Sequence, residues 1–71
     1  IRRIQIDSGI LGSTVQEIDA RRRYGINIIA IERDRQTQVD FSPQFCFQSG
    51  DIITVIGKVD NIDRFESAIQ A

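Results

Sequence analysis

Isoleucine and valine dominate the apolar residues of this 71-residue chain. Fourteen Ile and four Val stand against a single Leu, and there is no Met and no Trp. Because β-branched side chains lose freedom in helices and pack well on a pleated surface, this preference favours a sheet as the main part of the core. A chain of this size buries only about 60% of the surface that its unfolded form exposes. We therefore expect a thin core, with any ligand site at an interface shared between copies.

Three segments have the apolar pattern of β-strands. They are residues 1–6, in which Ile4 and Ile6 share one face, residues 26–33 and residues 52–57. The segment 26–33 is apolar on both alternating faces, which predicts a central strand covered on both sides.

The residues between the second and third strands predict further short elements. The polar stretch 34–38 predicts a loop or a hairpin turn, and Ser42-Pro43 breaks the pattern. Apolar residues alternate on either side of this break, which predicts one or two short strands at Val39 to Phe41 and at Phe45 to Phe47. We expect Asp51 to complete the turn that leads into the last strand.

A first helix is predicted between the first two strands. Apolar residues are spaced by four and three over residues 11–18, and Ser13 with Gln16 has the pattern of a capping box. Gly25 is predicted to end this helix.

A last helix is predicted to begin near Asp60 or Asn61. Its apolar residues Ile62, Phe65 and Ile69 follow the helical period and form one face.

The element order β-α-β-β-(β)-β-α predicts an α+β fold with a mixed or antiparallel sheet and two helices. Residues 1–71 are expected to form a single domain, because repeats, low-complexity tracts and internal linkers are lacking. The absence of Met and the position of Ile1 within a strand pattern predict that this domain is excised from a longer protein. No apolar run reaches the roughly 18 residues of a membrane span, and no signal-peptide pattern is present.

Composition argues against most forms of catalysis. The chain has no His, and Cys46 is its only Cys, so a zinc site or a Cys-His or Ser-His pair cannot be assembled. We therefore expect no enzyme, no metal and no cofactor. The lack of a disulfide partner for Cys46 fits a reducing, cytoplasmic compartment, and we expect Cys46 to be an ordinary strand residue.

Charge also argues against nucleic-acid binding. Residues 1–36 carry seven basic and five acidic side chains, residues 37–71 carry two and five, and the net charge is −1. A surface that follows DNA or RNA phosphates needs a basic stripe, so we predict neither DNA nor RNA as a partner. Eight of the nine basic residues are Arg, whose planar fork suits a phosphate or a carboxylate.

The segments GSTVQEIDARRRYG (12–25) and INIIAIER (26–33), followed by Pro43 and GDIITVIG (50–57), resemble the RCK-C (TrkA-C) domain in order and spacing. This domain is the C-terminal lobe of regulators of potassium conductance, and the resemblance runs across nearly the whole chain. It implies a homodimeric α+β lobe, cytoplasmic and peripheral to or tethered at the inner face of the membrane. It also implies a membrane potassium transporter or channel subunit as a partner, reached through the rest of the parent protein.

A narrower pattern lies within this resemblance. Some RCK-C domains bind cyclic di-AMP through two Ile or Leu, two residues, Asp, one residue, Arg, five residues, Asn and two Ile or Leu. The matching positions in this chain are Asp19, Arg21, Asn27, Ile28 and Ile29.

The leading apolar pair of the pattern falls on Val15, a conservative change, and on Gln16, a departure. The resemblance implies that Arg21 contacts a phosphate and that Asp19 holds the Arg21 guanidinium in place. It also implies that the side-chain amide of Asn27 donates a hydrogen bond to the ligand. Val15, with Ile28 or Ile29, would line the adenines.

The sequence is compatible with three functions. The first is a ligand-sensing regulatory domain of a potassium transport system, which binds cyclic di-AMP at a homodimer interface and gates transport. The second is a lobe that only dimerises and packs, while a separate nucleotide-binding lobe senses; the departure at Gln16 favours it. In that case Arg21 to Arg23 form a solvated helix face, paired with Glu17 and Asp19 at about 0.2–0.5 kcal/mol each. An enzyme ranks third, since no base and nucleophile pair is available.

Overall fold

The computed structural model describes residues 1–70. In chain order its elements are β1 (Arg2–Gln5), α1 (Val15–Ile18), α2 (Ala20–Tyr24), β2 (Asn27–Arg33), β3 (Gln36–Gln38), β4 (Ile52–Ile56) and α3 (Val59–Ile69). The strands form one sheet in the order β1-β4-β2-β3, and each neighbouring pair is antiparallel. The predicted α+β fold with an antiparallel sheet is confirmed.

The core lies between one face of the sheet and the helices. Ile4 on β1 and Ile53 on β4 are opposite each other in the register and are 2% and 0% exposed. The predicted apolar face of the last helix is confirmed, because α3 buries Ile62, Phe65 and Ile69. These residues belong to a single buried cluster that includes Ile26 and Phe47, so the strands and α3 share one core.

The other face of the sheet is more open. Ala30 of β2 and Thr54 of β4 are half-buried neighbours on it, and Ile56 is exposed. The interior position of β2 is confirmed, but its predicted coverage on both sides is wrong. A β-bulge between Ile28 and Ala30 interrupts the alternation, and Ile29, at the bulge, is 40% exposed.

The stretch 34–38, predicted as a loop or a hairpin turn, contains a hairpin turn and, after it, the short strand β3. Asp34 and Arg35 have φ values of 53° and 65°, which is the backbone of a two-residue hairpin turn, so the chain returns at once to pair with β2. The predicted strand at Val39 to Phe41 is therefore wrong, since the chain leaves the sheet after Gln38. The predicted strand around Phe45 to Phe47 is also wrong, because Cys46 makes only an isolated bridge to Thr14.

The first predicted helix is present but divided. α1 ends at Asp19, which has a left-handed backbone with φ of 50°, and α2 begins at the next residue. The predicted capping box at Ser13 and Gln16 is wrong by one residue. Thr14 accepts the backbone N–H of Glu17, and the Glu17 carboxylate accepts the N–H of Thr14.

We expect Gly9→Ala to destabilise the domain more than Gly12→Ala. Both glycines have positive φ, 72° and 83°, so both substitutions carry a left-handed backbone cost of about 1–2 kcal/mol. A Cβ atom on Gly9 would also collide with the backbone carbonyl of Ile69, whereas one on Gly12 meets nothing within 4 Å. Gly9→Ala should therefore cost about 2–5 kcal/mol in total. Urea unfolding of both variants measures the difference, and equal losses would contradict the contact between Gly9 and α3.

Candidate functional site

A groove of about 380 Å³ lies beside α1 and α2 and the start of β2. Five of the six site residues predicted from the sequence line it: Val15, Asp19, Arg21, Asn27 and Ile28. Ile29 is not among the lining residues of this single chain, since the bulge leaves it on the exposed surface.

Local structure explains why these residues converge. The break at Asp19 separates α1 from α2, and Gly25 ends α2 after Tyr24. Ile26 is fully buried directly after this end and anchors the chain as it enters β2. The short connection therefore holds Asn27, the first residue of β2, close to the helix that carries Arg21.

The charged side chains of the groove are paired differently from the expectation. Asp19 forms a salt bridge with Arg22, at 3.1 Å between Oδ2 and Nε, and not with Arg21. Within residues 1–70 the guanidinium of Arg21 makes no ion pair, and Arg21 is exposed. Asp19 therefore does not hold the Arg21 guanidinium in this single chain, and its role beside a bound phosphate stays a prediction.

The alternative helix-face pairs are not formed either. In the part of the chain that the structure describes, Arg21 does not pair with Glu17, and Arg23 does not pair with Asp19. The carboxylate of Glu17 instead caps the start of α1. Arg21 therefore presents a cation at the groove without a competing carboxylate partner.

The sequence did not identify the second wall of the groove as part of the site. Phe41 and Pro43 form this wall, and Phe41 also packs against the core. The backbone N–H of Gln16 donates to the carbonyl of Pro43 at 2.9 Å, and that of Val15 donates to Phe45 at 3.0 Å. The cyclic di-AMP pattern ends before this segment, so only the occurrence of Pro43 in the broader resemblance pointed to it.

An ion pair between β2 and the start of β4 holds the segment that carries this wall. Arg33 donates from Nε to Asp51 Oδ1 at 2.8 Å and from Nη2 to Oδ2 at 2.6 Å. The same guanidinium donates to the carbonyl of Cys46 at 2.9 Å and lies over the Phe45 ring at 4.6 Å from its centre. Both Cys46 and Phe45 are therefore fixed by a single side chain of the sheet.

Asp51 does more than complete a turn. It accepts the backbone N–H of Gln48 at 2.8 Å, as a turn residue does, but it is also only 1% exposed. Burial by itself raises the pKa of Asp51. The hydrogen bonds from Arg33 and Gln48 and the charge of Arg33 outweigh that effect and hold the pKa below its ordinary value.

Tyr24 packs edge-on against Phe65 of α3, with ring centres 5.3 Å apart. Among residues 1–70, no three His, Cys, Asp or Glu side chains are grouped in a way that could hold a metal ion. None of the helices in this part of the chain is both long enough and apolar enough to cross a membrane.

The structure is a small α+β lobe with an open groove, and comparison with known families identifies its kind. Residues 1–70 match the TrkA-C domain, and the chain belongs to this family. The resemblance inferred from the sequence is confirmed.

Two curated relatives are longer proteins. The chain is 38% identical over 66 residues to the Ktr system potassium uptake protein C of Bacillus subtilis, covering 93% of this chain and 30% of that protein. It is 29% identical over 59 residues to the ammonium/H(+) antiporter subunit AmhM of Alkalihalophilus pseudofirmus, covering 83% of this chain and 35% of that protein. The chain thus spans about a third of the length of these relatives.

Two similar solved structures contain cyclic di-AMP. The RCK C domain of the potassium transport protein KtrA, in complex with cyclic di-AMP, matches with a TM-score of 0.90 and 32% identity, over 96% of this chain and 80% of that one. The RCK_C domain dimer of Streptococcus agalactiae BusR, in complex with cyclic di-AMP, matches with a TM-score of 0.86 and 25% identity, over 97% and 93%.

A longer BusR chain is known in complex with its busAB-promotor DNA, and there the match covers 35% of the BusR chain. The absence of a DNA or RNA partner therefore stays a prediction from charge alone.

We expect Asp51→Asn to lower the free energy of unfolding by about 2–3 kcal/mol at pH 7, because the variant leaves the guanidinium of Arg33 without its buried carboxylate. The folded pKa of Asp51 is lowered, so its stabilisation is complete above the ordinary carboxyl pKa and is lost as the pH falls. The difference in free energy of unfolding between the unchanged chain and Asp51→Asn should therefore shrink as the pH falls towards about 3. Urea unfolding at both pH values tests this. Asp40→Asn, at an exposed position, serves as the control, and a difference independent of pH would contradict the assignment.

Proposed function

We propose that the groove binds cyclic di-AMP, and that the domain regulates a potassium or related cation transport system in response to it. The observation that carries this proposal is the gathering of Val15, Asp19, Arg21, Asn27 and Ile28 around one groove. Two structures with this fold bind the same ligand.

The chemistry of the groove suits the ligand. Arg21 is an exposed cation without an ion-pair partner in residues 1–70, so a phosphate does not have to displace a carboxylate from it. Charge-assisted hydrogen bonds from a guanidinium to a phosphate are among the stronger polar contacts in proteins. Asn27 adds an exposed amide, and half-buried Val15 and Ile28 offer apolar surface to the flat adenines.

The shape of the site favours a homodimer. One chain provides an open groove of about 380 Å³ rather than an enclosed cavity. Cyclic di-AMP has two phosphates and two adenines around a near two-fold axis, and a symmetric dimer repeats every contact across that axis. We therefore propose one ligand for each two chains, with exposed Ile29 supplied to the site by the partner.

The regulatory step is a population shift. A ligand that binds one arrangement of the two chains more tightly than another shifts the dimer towards that arrangement. The relatives named above support a potassium uptake or antiporter partner, and a cytoplasmic position beside the membrane follows from such a partner. The proposal includes no catalytic step, since the groove presents no base and nucleophile pair.

Arg21→Ala and Asn27→Ala should each weaken cyclic di-AMP binding. Loss of a hydrogen bond to a charged group costs about 1.5–3 kcal/mol, so we expect at least a tenfold loss of affinity for Arg21→Ala. Isothermal titration calorimetry of the dimer measures both the affinity and the expected ratio of one ligand to two chains. Arg23→Ala, on the same helix but outside the groove, is the matched control and should bind as the unchanged chain does.

The outcomes separate the functions. Binding that is unaffected by either groove substitution would place the ligand elsewhere and refute the proposed site. A stable dimer by sedimentation that takes up no cyclic di-AMP would instead support a lobe that only dimerises and packs. Hydrolysis of the ligand during the titration would indicate an enzyme.

A further inference from the structure

We infer that Gln16 reads the base edge of the ligand and that Gln44 fixes the orientation in which it reads. This inference rests on the proposed function, because it concerns which cyclic dinucleotide the groove selects. Gln16 lines the groove and stands where the cyclic di-AMP pattern has an apolar residue. Its backbone is fixed by the hydrogen bond to the carbonyl of Pro43.

A chain of hydrogen bonds determines which end of the Gln16 amide is free. The backbone N–H of Gln44 donates to Ser42 Oγ at 3.0 Å, and the Ser42 hydroxyl donates to Gln44 Oε1 at 3.0 Å. Gln44 must then present its Nε2 group on the other side, and this group donates to Gln16 Oε1 at 3.1 Å. In this arrangement Nε2 of Gln44 is the donor, and the Gln16 carbonyl is held towards Gln44.

This orientation leaves a defined recognition pattern on Gln16. Within residues 1–70 its Nε2 group makes no hydrogen bond, so both hydrogens are available to a ligand, and Oε1 keeps one lone pair. A glutamine amide of this kind matches adenine, because it donates to N7 and accepts from the N6 amino group. Guanine presents an oxygen, O6, in place of the amino group, so the fixed carbonyl of Gln16 would face another acceptor.

Gln44 is therefore a positioning residue. A glutamine free to rotate could turn its Nε2 group towards guanine O6, whereas the hydrogen bond from Gln44 opposes that rotation. The pair would add selection by hydrogen bonding to a groove whose other walls, Val15, Ile28 and Phe41, recognise only shape.

The experiment measures the affinities of the dimer for cyclic di-AMP and cyclic di-GMP by calorimetry, in the unchanged chain and in Gln16→Leu and Gln44→Leu. We expect the unchanged chain to prefer cyclic di-AMP by about tenfold or more, in line with the discrimination of one bidentate base contact. Gln16→Leu restores the apolar residue of the cyclic di-AMP pattern, so it should still bind cyclic di-AMP through shape. It should also remove the clash between the Gln16 carbonyl and guanine O6, and so narrow the preference for cyclic di-AMP over cyclic di-GMP. Gln44→Leu should keep most of its affinity for cyclic di-AMP but gain affinity for cyclic di-GMP.

Gln36→Leu, at an exposed position of β3, is the matched control and should keep the preference. A variant that merely disturbs the fold would weaken both ligands alike and leave their ratio unchanged. If the unchanged chain prefers cyclic di-AMP and Gln16→Leu retains the full preference, the role of Gln16 is refuted while the proposed function stands. If the unchanged chain binds neither nucleotide, the proposed function itself is refuted and the inference with it.

Discussion

The pair formed by Arg33 and Asp51 connects the sheet to the wall of the groove. Asp51 is almost fully buried, so its carboxylate requires a hydrogen-bonded cation to remain charged inside the domain. Arg33 supplies that cation and, with the same guanidinium, holds the carbonyl of Cys46 and the ring of Phe45. A stretch without regular strand structure thereby acquires a fixed position against α1, and with it the wall at Phe41 and Pro43.

Periodicity predicted the elements whose environment is local. The strands β1, β2 and β4 and the helix α3 repeat their apolar residues with the period of the structure that they form, so the sheet class and the face of α3 followed from the sequence. The errors arise where the backbone conformation of one or two residues, or a distant part of the chain, decides the structure. β3 exists because Asp34 and Arg35 adopt a left-handed turn, and the segment around Cys46 is held by Arg33 rather than by a ladder of strand hydrogen bonds.

The candidate site shows the same division. The spacing from Asp19 to Ile28 lies within one helix–strand connection, so the pattern alone brought these residues together. Phe41 and Pro43 come from a later part of the chain and carry no comparable pattern. The pairing of Asp19 with Arg22 depends on the left-handed backbone at Asp19, which a continuous helical period does not reveal. Ile29 lies outside the groove of the single chain for a similar reason, because a β-bulge of one residue changes the direction of a side chain.

An open groove on a thin domain has a consequence for regulation. Both of its walls are tied to one core, by α2 and β2 on one side and by Arg33 and Asp51 on the other, so a ligand has little freedom to move one wall against the other. The part of the site that can differ between states is then the position of the second chain. Under the proposed function, ligand binding and the dimer arrangement are reciprocally coupled, and any substitution that shifts the dimer also shifts the affinity for the ligand. Under the same proposal, the signal passed to a transporter is the geometry between two lobes rather than a change of shape within one.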